Sequence, residues 1–231
     1  QMSLGHDISA VRIDKAFNVT SKAEAPTGSH KVAETVWHGT DISAASCIAL
    51  TGFKVTSANV KAGRSMGSVV YVAPNADKSM QYLGSKFTRN GNGILFNGPA
   101  YLKGAALSRI DGRAGSYDWT RTNRFASEEI GLANANLQFD IERAYSVTVC
   151  SRLPNITARS PLAEVRKVAS LAMARLVPAS NIRAAQSTIT KANTVSAVID
   201  VLRGYNVLLA LGKPDEATRK ANRKFKIKSV R

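Results

Sequence analysis

The sequence predicts an α+β chain, on three observations. From Thr35 to about Cys150, short apolar and β-branched runs alternate with glycine-rich and polar turns, which is a strand pattern. After Pro154 the apolar spacing becomes helical. The charge divides at the same place. The 231 residues carry 32 Lys and Arg against 16 Asp and Glu, a net of +16. Residues 1–150 hold +4 of that excess and residues 151–231 hold +12.

Residues 1–29 read as a polar N-terminal extension, with Ala25-Pro26-Thr27-Gly28-Ser29 as a loop. Residues 30–152 form the β-rich domain. Within it, Thr35–His38 predicts a strand, and Asp41–Leu50, with Ile42, Ala45, Ile48 and Ala49, predicts a helix ending before Gly52. Ser68–Val72 predicts a strand, and Asp77–Leu83 a short helix after the Pro74-Asn75 turn. Ile94–Phe96, Glu128–Leu132 and Ala144–Val149 are further strand candidates. The Gly-, Asn- and Arg-rich stretch 84–127 otherwise reads as a long loop region. Residues 153–231 form a basic helical module. Ser160-Pro161 starts a helix with Leu162, Val165, Ala169, Ala172 and Leu176 on one face, and Pro178 stops it. A second helix is expected over Thr194–Leu211 and a third from Pro214.

Bulk properties exclude several classes. Hydrophobic residues at 44% and charged residues at 21% argue against wholesale disorder. No apolar run approaches the ~20 residues of a membrane span, and residues 1–30 lack a signal-peptide core. These point to an intracellular protein, cytoplasmic or in the nucleoid or nucleus. Gln1 standing before Met2 suggests either an added residue or a piece of a longer chain. Cys47 and Cys150 are too few for a disulfide scaffold and read as buried reduced thiols. No Cys/His cluster has metal-ligand spacing, and no P-loop, dinucleotide glycine fingerprint or nucleophile elbow occurs.

The candidate chemistry lies in residues at mutually consistent spacings. Trp37-His38-Gly39-Thr40 precedes the first helix and Gly52-Phe53-Lys54-Val55 follows it. Then come Met66-Gly67-Ser68-Val69-Val70-Tyr71-Val72-Ala73, Lys78-Ser79 and Tyr82. Over residues 36–55 and 66–82 this resembles, without gaps, the NAD-binding half of the poly(ADP-ribose) polymerase catalytic domain. More distantly it is similar to diphtheria-type toxins. Both are ADP-ribosyltransferases with a His–Tyr–Glu triad. The resemblance implies a split mixed β-sheet with short helices over residues 30–152, NAD as co-substrate, and transfer of ADP-ribose with release of nicotinamide.

The resemblance also implies roles. Gly39 would pair its backbone with the nicotinamide amide, and Ser79, beside Lys78, would donate a hydroxyl to the same amide. Tyr82 would stack on the nicotinamide ring and Tyr71 would wall its other side, since aromatic faces suit a flat cation. His38 and Thr40 would bond the adenosine ribose, and Lys54 would approach the adenosine half. The catalytic carboxylate, which stabilises charge developing on the ribose, falls in Ser127-Glu128-Glu129-Ile130. Glu128 is the first assignment and Glu129 the alternative, because neighbouring strand residues face opposite sides. Together His38, Tyr71 and Glu128 form the expected triad. The region between Tyr82 and Glu128 is short for the polymerases, which favours single transfer over chain elongation. The acceptor is a protein or a nucleic acid.

Two other classes are compatible with the same residues: a catalytically inactive NAD-fold binding module, and a nucleic-acid-associated structural protein. The second rests on residues 213–231 alone, which hold eight Lys and Arg against two acids. That stretch predicts salt-sensitive polyanion binding with little base readout, since Phe225 is its single aromatic residue.

Overall fold

The computed structural model describes residues 8–20, 31–55, 69–83, 90–102, 107–108, 119–122, 129–157 and 159–210. They form two sheets and six helices, an α+β architecture. The larger sheet is antiparallel throughout. In spatial order it contains β2 (Lys31–Thr40), β4 (Asn90–Leu102), β8 (Arg143–Ser151), β1 (Ile8–Asn18) and β9 (Val207–Leu209). The smaller sheet runs β3 (Val70–Val72), β7 (Glu129–Leu132), β6 (Trp119–Thr122) and β5 (Leu107–Ser108), with only the β5–β6 pair parallel. One backbone bridge joins the sheets: Trp37 and Ala73 exchange both N–H···O bonds, at 2.8 and 2.9 Å.

Three apolar clusters hold the layers. Val36, Phe96 and Ala144 of the large sheet meet Val70, Val72, Ile130 and Leu132 of the small one. On the opposite face, Leu95, Tyr145, Val147 and Val149 are covered by Ala76, Met80 and Leu83, from and just after α2 (Ala76–Met80). At the β1–β9 end, Ala10, Cys150 and Val207 are covered by α4 (Leu162–Leu176), α5 (Ala179–Lys191) and α6 (Val195–Gly204). The remaining helices are α1 (Ile42–Thr51), capped where Asp41 accepts from the Ala44 N–H at 2.8 Å, and α3 (Ala135–Gln138). No described helix is long and apolar enough to cross a membrane.

Several sequence expectations change. Residues 8–18, read as part of a polar extension, are a strand bonded on both sides, and Ile8, Ala10 and Val11 are buried. Its polar second half hides a start that is buried on both faces. Residues 90–102 were expected to be largely loop and are instead a 13-residue strand. Pairing with β8 from Cys150 to Val147 supplies ladder bonds that outweigh the low strand preference of Asn90-Gly91-Asn92-Gly93, and from Ile94 onward β2 pairs on the other side. Pro178 ends α4 as expected, but α5 begins directly after it. That helix buries only Ala185 and Ile189, so its apolar period is faint. The helix expected to reach Leu211 stops at Gly204, where Asn206 takes a left-handed turn (φ 57°) and the chain enters β9. The C-terminal segment thus shares the sheet and its core. Cys47 is exposed on α1, while Cys150 is buried. The helix expected from Pro214 lies outside the described residues.

Candidate active site

Strand alternation sorts the residues of β2. Trp37 and Gly39 point to the α2 side, whereas Val36 and His38 point to the other face, where Phe53 meets His38 edge-on at 5.2 Å and 88°. Backbone groups alternate too. The N–H and C=O of Trp37 go to Ala73, so those of Gly39, two residues on, face the same way, off the ladder with β4. The missing side chain of Gly39 has a structural use. A Cβ there would sit 2.7 Å from the Ser79 carbonyl carbon and closer still to its oxygen. Helix α2 packs onto β2 at that point, and the Ser79 hydroxyl donates to the Trp37 carbonyl at 2.7 Å. The Ser79 proton is therefore committed to the backbone. The hydroxyl oxygen keeps lone pairs with which it can accept.

The second half of the site lies between α2 and the small sheet. In β7, Ile130 and Leu132 enter the core, which turns Glu129 and Gly131 to the opposite face, and Gly131 pairs with Tyr71 of β3. Glu129 is 3% exposed. Its Oε1 accepts from the Tyr82 hydroxyl at 2.9 Å and lies 3.2 Å from the Lys78 ammonium, which also stands 5.7 Å from the Tyr82 ring centre. Burial first, then the charge of and hydrogen bond to Glu129, then Tyr71, raise the Tyr82 pKa well above 10. The phenol consequently stays a proton donor to the carboxylate at any working pH. Lys78, within α2, and Tyr82, two residues past its end, thus hold the start of β7. Such a buried network ties α2 to the small sheet as well as shaping a site.

His38 links the two halves. Its Nδ1 lies 2.8 Å from the Tyr71 carbonyl oxygen. A carbonyl only accepts, so Nδ1 carries the proton and the neutral ring offers Nε2 as an acceptor. Burial lowers the His38 pKa from 6.5, and the bond to Tyr71 offsets part of that fall. Between the lowered folded value and 6.5 the unfolded chain binds more protons than the folded one. Stability therefore declines as pH drops below about 6.5. Urea midpoints at pH 7.5 and 5.5 should show this loss, and His38→Gln should reduce it. An equal loss in the variant would assign the effect to other groups.

Of the residues singled out from sequence, the structure brings together His38, Gly39, Tyr71, Lys78, Ser79 and Tyr82. Thr40 ends β2 opposite Ile94, and Lys54 is exposed beyond Phe53. Glu128 lies outside the described residues. Phe53 belongs to the Gly52–Val55 stretch but has no role there from sequence, and Asn136 has none at all. The Asn136 amide brackets the Phe53 backbone, accepting from its N–H at 2.6 Å and donating to its C=O at 3.0 Å. A contact across 83 residues leaves no local sequence signal.

No protein-family model matches the chain, and no curated protein matches it.

Proposed function

We propose that this protein is an ADP-ribosyltransferase that moves ADP-ribose from NAD to a protein or nucleic-acid acceptor and releases nicotinamide. One observation carries the reading. Glu129 is held by Lys78 and Tyr82 on the strand face it shares with Tyr71, beside the His38–Tyr71 contact. These residues fit NAD. The outward N–H and C=O of Gly39 and the Ser79 hydroxyl suit a carboxamide, the Tyr71 and Tyr82 rings suit a flat cation, and His38 Nε2 suits a ribose hydroxyl. Departure of nicotinamide leaves positive charge on the ribose. We assign Glu129, rather than Glu128, to its stabilisation, with Oε2 accepting from the 2′-hydroxyl while Oε1 stays with Lys78 and Tyr82. NAD labelled in its adenosine half should yield a labelled macromolecule and free nicotinamide, and neither product should form without the protein.

The burial of Glu129 and its pairing with Lys78 favour one other reading, an inactive module that binds NAD without cleaving it. Thermal stabilisation by NAD with no nicotinamide released would establish that reading instead.

Residues 213–231 belong to the same proposal as a docking segment for a polyanionic acceptor, in an intracellular setting where NAD is available. Truncation after Leu211 should leave nicotinamide release unchanged. It should also abolish a salt-sensitive association with RNA or DNA, because released counterions drive such binding. Equal binding by both chains at low salt would remove the docking role.

A further inference from the structure

We propose that Asn136 is a positioning residue: its side-chain amide clamps the Gly52–Phe53 corner and so fixes the Phe53 ring against His38. Only the part of this inference that concerns NAD rests on the transferase reading above.

The clamp is two-pointed. Asn136 Oδ1 accepts from the Phe53 N–H at 2.6 Å, and Nδ2 donates to the Phe53 carbonyl at 3.0 Å. A planar amide thereby mimics one rung of a β-ladder, on a segment that no described strand pairs. The corner needs such a partner. α1 ends at Gly52, which has φ 75° and an N–H bonded to Ile48, and the chain then turns towards Lys54. Gly52 is required twice over: its φ favours glycine, and a Cβ there would lie 2.6 Å from Asn136 Oδ1. With the backbone pinned, the Phe53 ring sits between two others. Its centroid is 5.2 Å from His38, perpendicular to it, and 6.1 Å from buried Phe139, which follows α3 directly. The Tyr71 carbonyl fixes one imidazole nitrogen and Phe53 fixes the tilt of the ring. Together they aim Nε2.

The location of Asn136 gives the clamp a second consequence. It lies on α3, four residues after Leu132 closes β7. The strand carrying Glu129 and the corner supporting His38 are thus joined through one short helix. A shift of α3 would disturb both.

The contact is exposed, so breaking it should cost little stability while releasing the ring. That separation makes the inference testable in the full chain labelled with 15N and 13C at histidine, with the His38 signal assigned by its loss in His38→Gln. In Asn136→Ala, the His38 ring protons should lose the ring-current shift imposed by Phe53, and the His38 titration midpoint should move up towards 6.5. Asn136→Asp keeps the acceptor but sets a carboxylate against the Phe53 carbonyl, so it should show the same changes. Phe53→Leu should reproduce both effects by removing the ring itself. In the transfer assay, the KM for NAD should rise about threefold to tenfold in Asn136→Ala, the effect of losing about one hydrogen bond of alignment. Its kcat should stay within about twofold, since binding contacts are being weakened. His38 signals unchanged in both Asn136 variants, yet moved in Phe53→Leu, would overturn the inference. Shifted signals in a chain that never turns over NAD would uphold the clamp and count against the transferase reading instead.

Discussion

Glu129→Gln should lower ADP-ribose transfer and nicotinamide release at least about a hundredfold. Its NAD affinity should stay within a fewfold, because the carboxylate acts on charge that develops only during bond cleavage. Glutamine keeps the shape and can still accept from Tyr82, so the loss isolates charge. It also removes the carboxylate charge 3.2 Å from the Lys78 ammonium, which is 5% exposed. Breaking a buried pair from one side costs about 3–5 kcal/mol, and a fall in melting temperature should accompany the loss of activity. Adding Lys78→Met should recover part of the stability and none of the turnover. That double-variant comparison separates the carboxylate's chemical role from its structural one. Glu128→Gln should remain active. Loss of activity in Glu128→Gln, with Glu129→Gln unimpaired, would move the catalytic assignment to Glu128.

Gly39→Ala should be the most damaging small substitution in β2. The added methyl meets a backbone carbonyl of α2, which cannot rotate aside as a side chain can. Helix and strand must part, weakening the Ser79–Trp37 hydrogen bond. About 3 kcal/mol is expected, the upper end for overpacking. For a chain of this length that corresponds to a melting temperature lower by roughly 6–12 °C. Gly204→Ala is the matched control, since a Cβ there meets nothing within 4 Å, and it should be neutral or mildly stabilising. Equal melting temperatures for the two variants would show that the contact between α2 and β2 relaxes without cost. Substitution of Gly39 therefore reports on packing before it reports on any ligand.

The sequence made the local elements legible where a single period dominates. Asp41 caps α1, Ser160-Pro161 introduces α4, and β3 and β8 sit on their β-branched runs. It failed where long-range pairing decides. β1 is polar in its second half yet bonded on both sides, and β4 begins with residues of loop composition. In the candidate site, the spacing of Tyr71, Lys78, Ser79 and Tyr82 placed four groups on one strand–helix unit. The parity of β7, which puts Glu129 on the face of Tyr71, follows from the burial of Ile130 and Leu132, and no local period shows it. Asn136 and Phe53 meet through tertiary contact alone, so no reading of local pattern could pair them.

The three residues of β9 also bear on self-association. They add to β1 at the side of the large sheet opposite β2 and occupy Ala10, Val11 and Arg12 of that strand. A strand with open amides templates a second chain, and β1 combines such amides with the buried apolar residues Ile8, Ala10 and Val11. A chain cut before Val207 would bare this ladder and invite intermolecular strand addition, whatever becomes of its chemistry. Residues 207–209 thus act as a stopper on the margin of the sheet, about 19 Å across four strand spacings from β2.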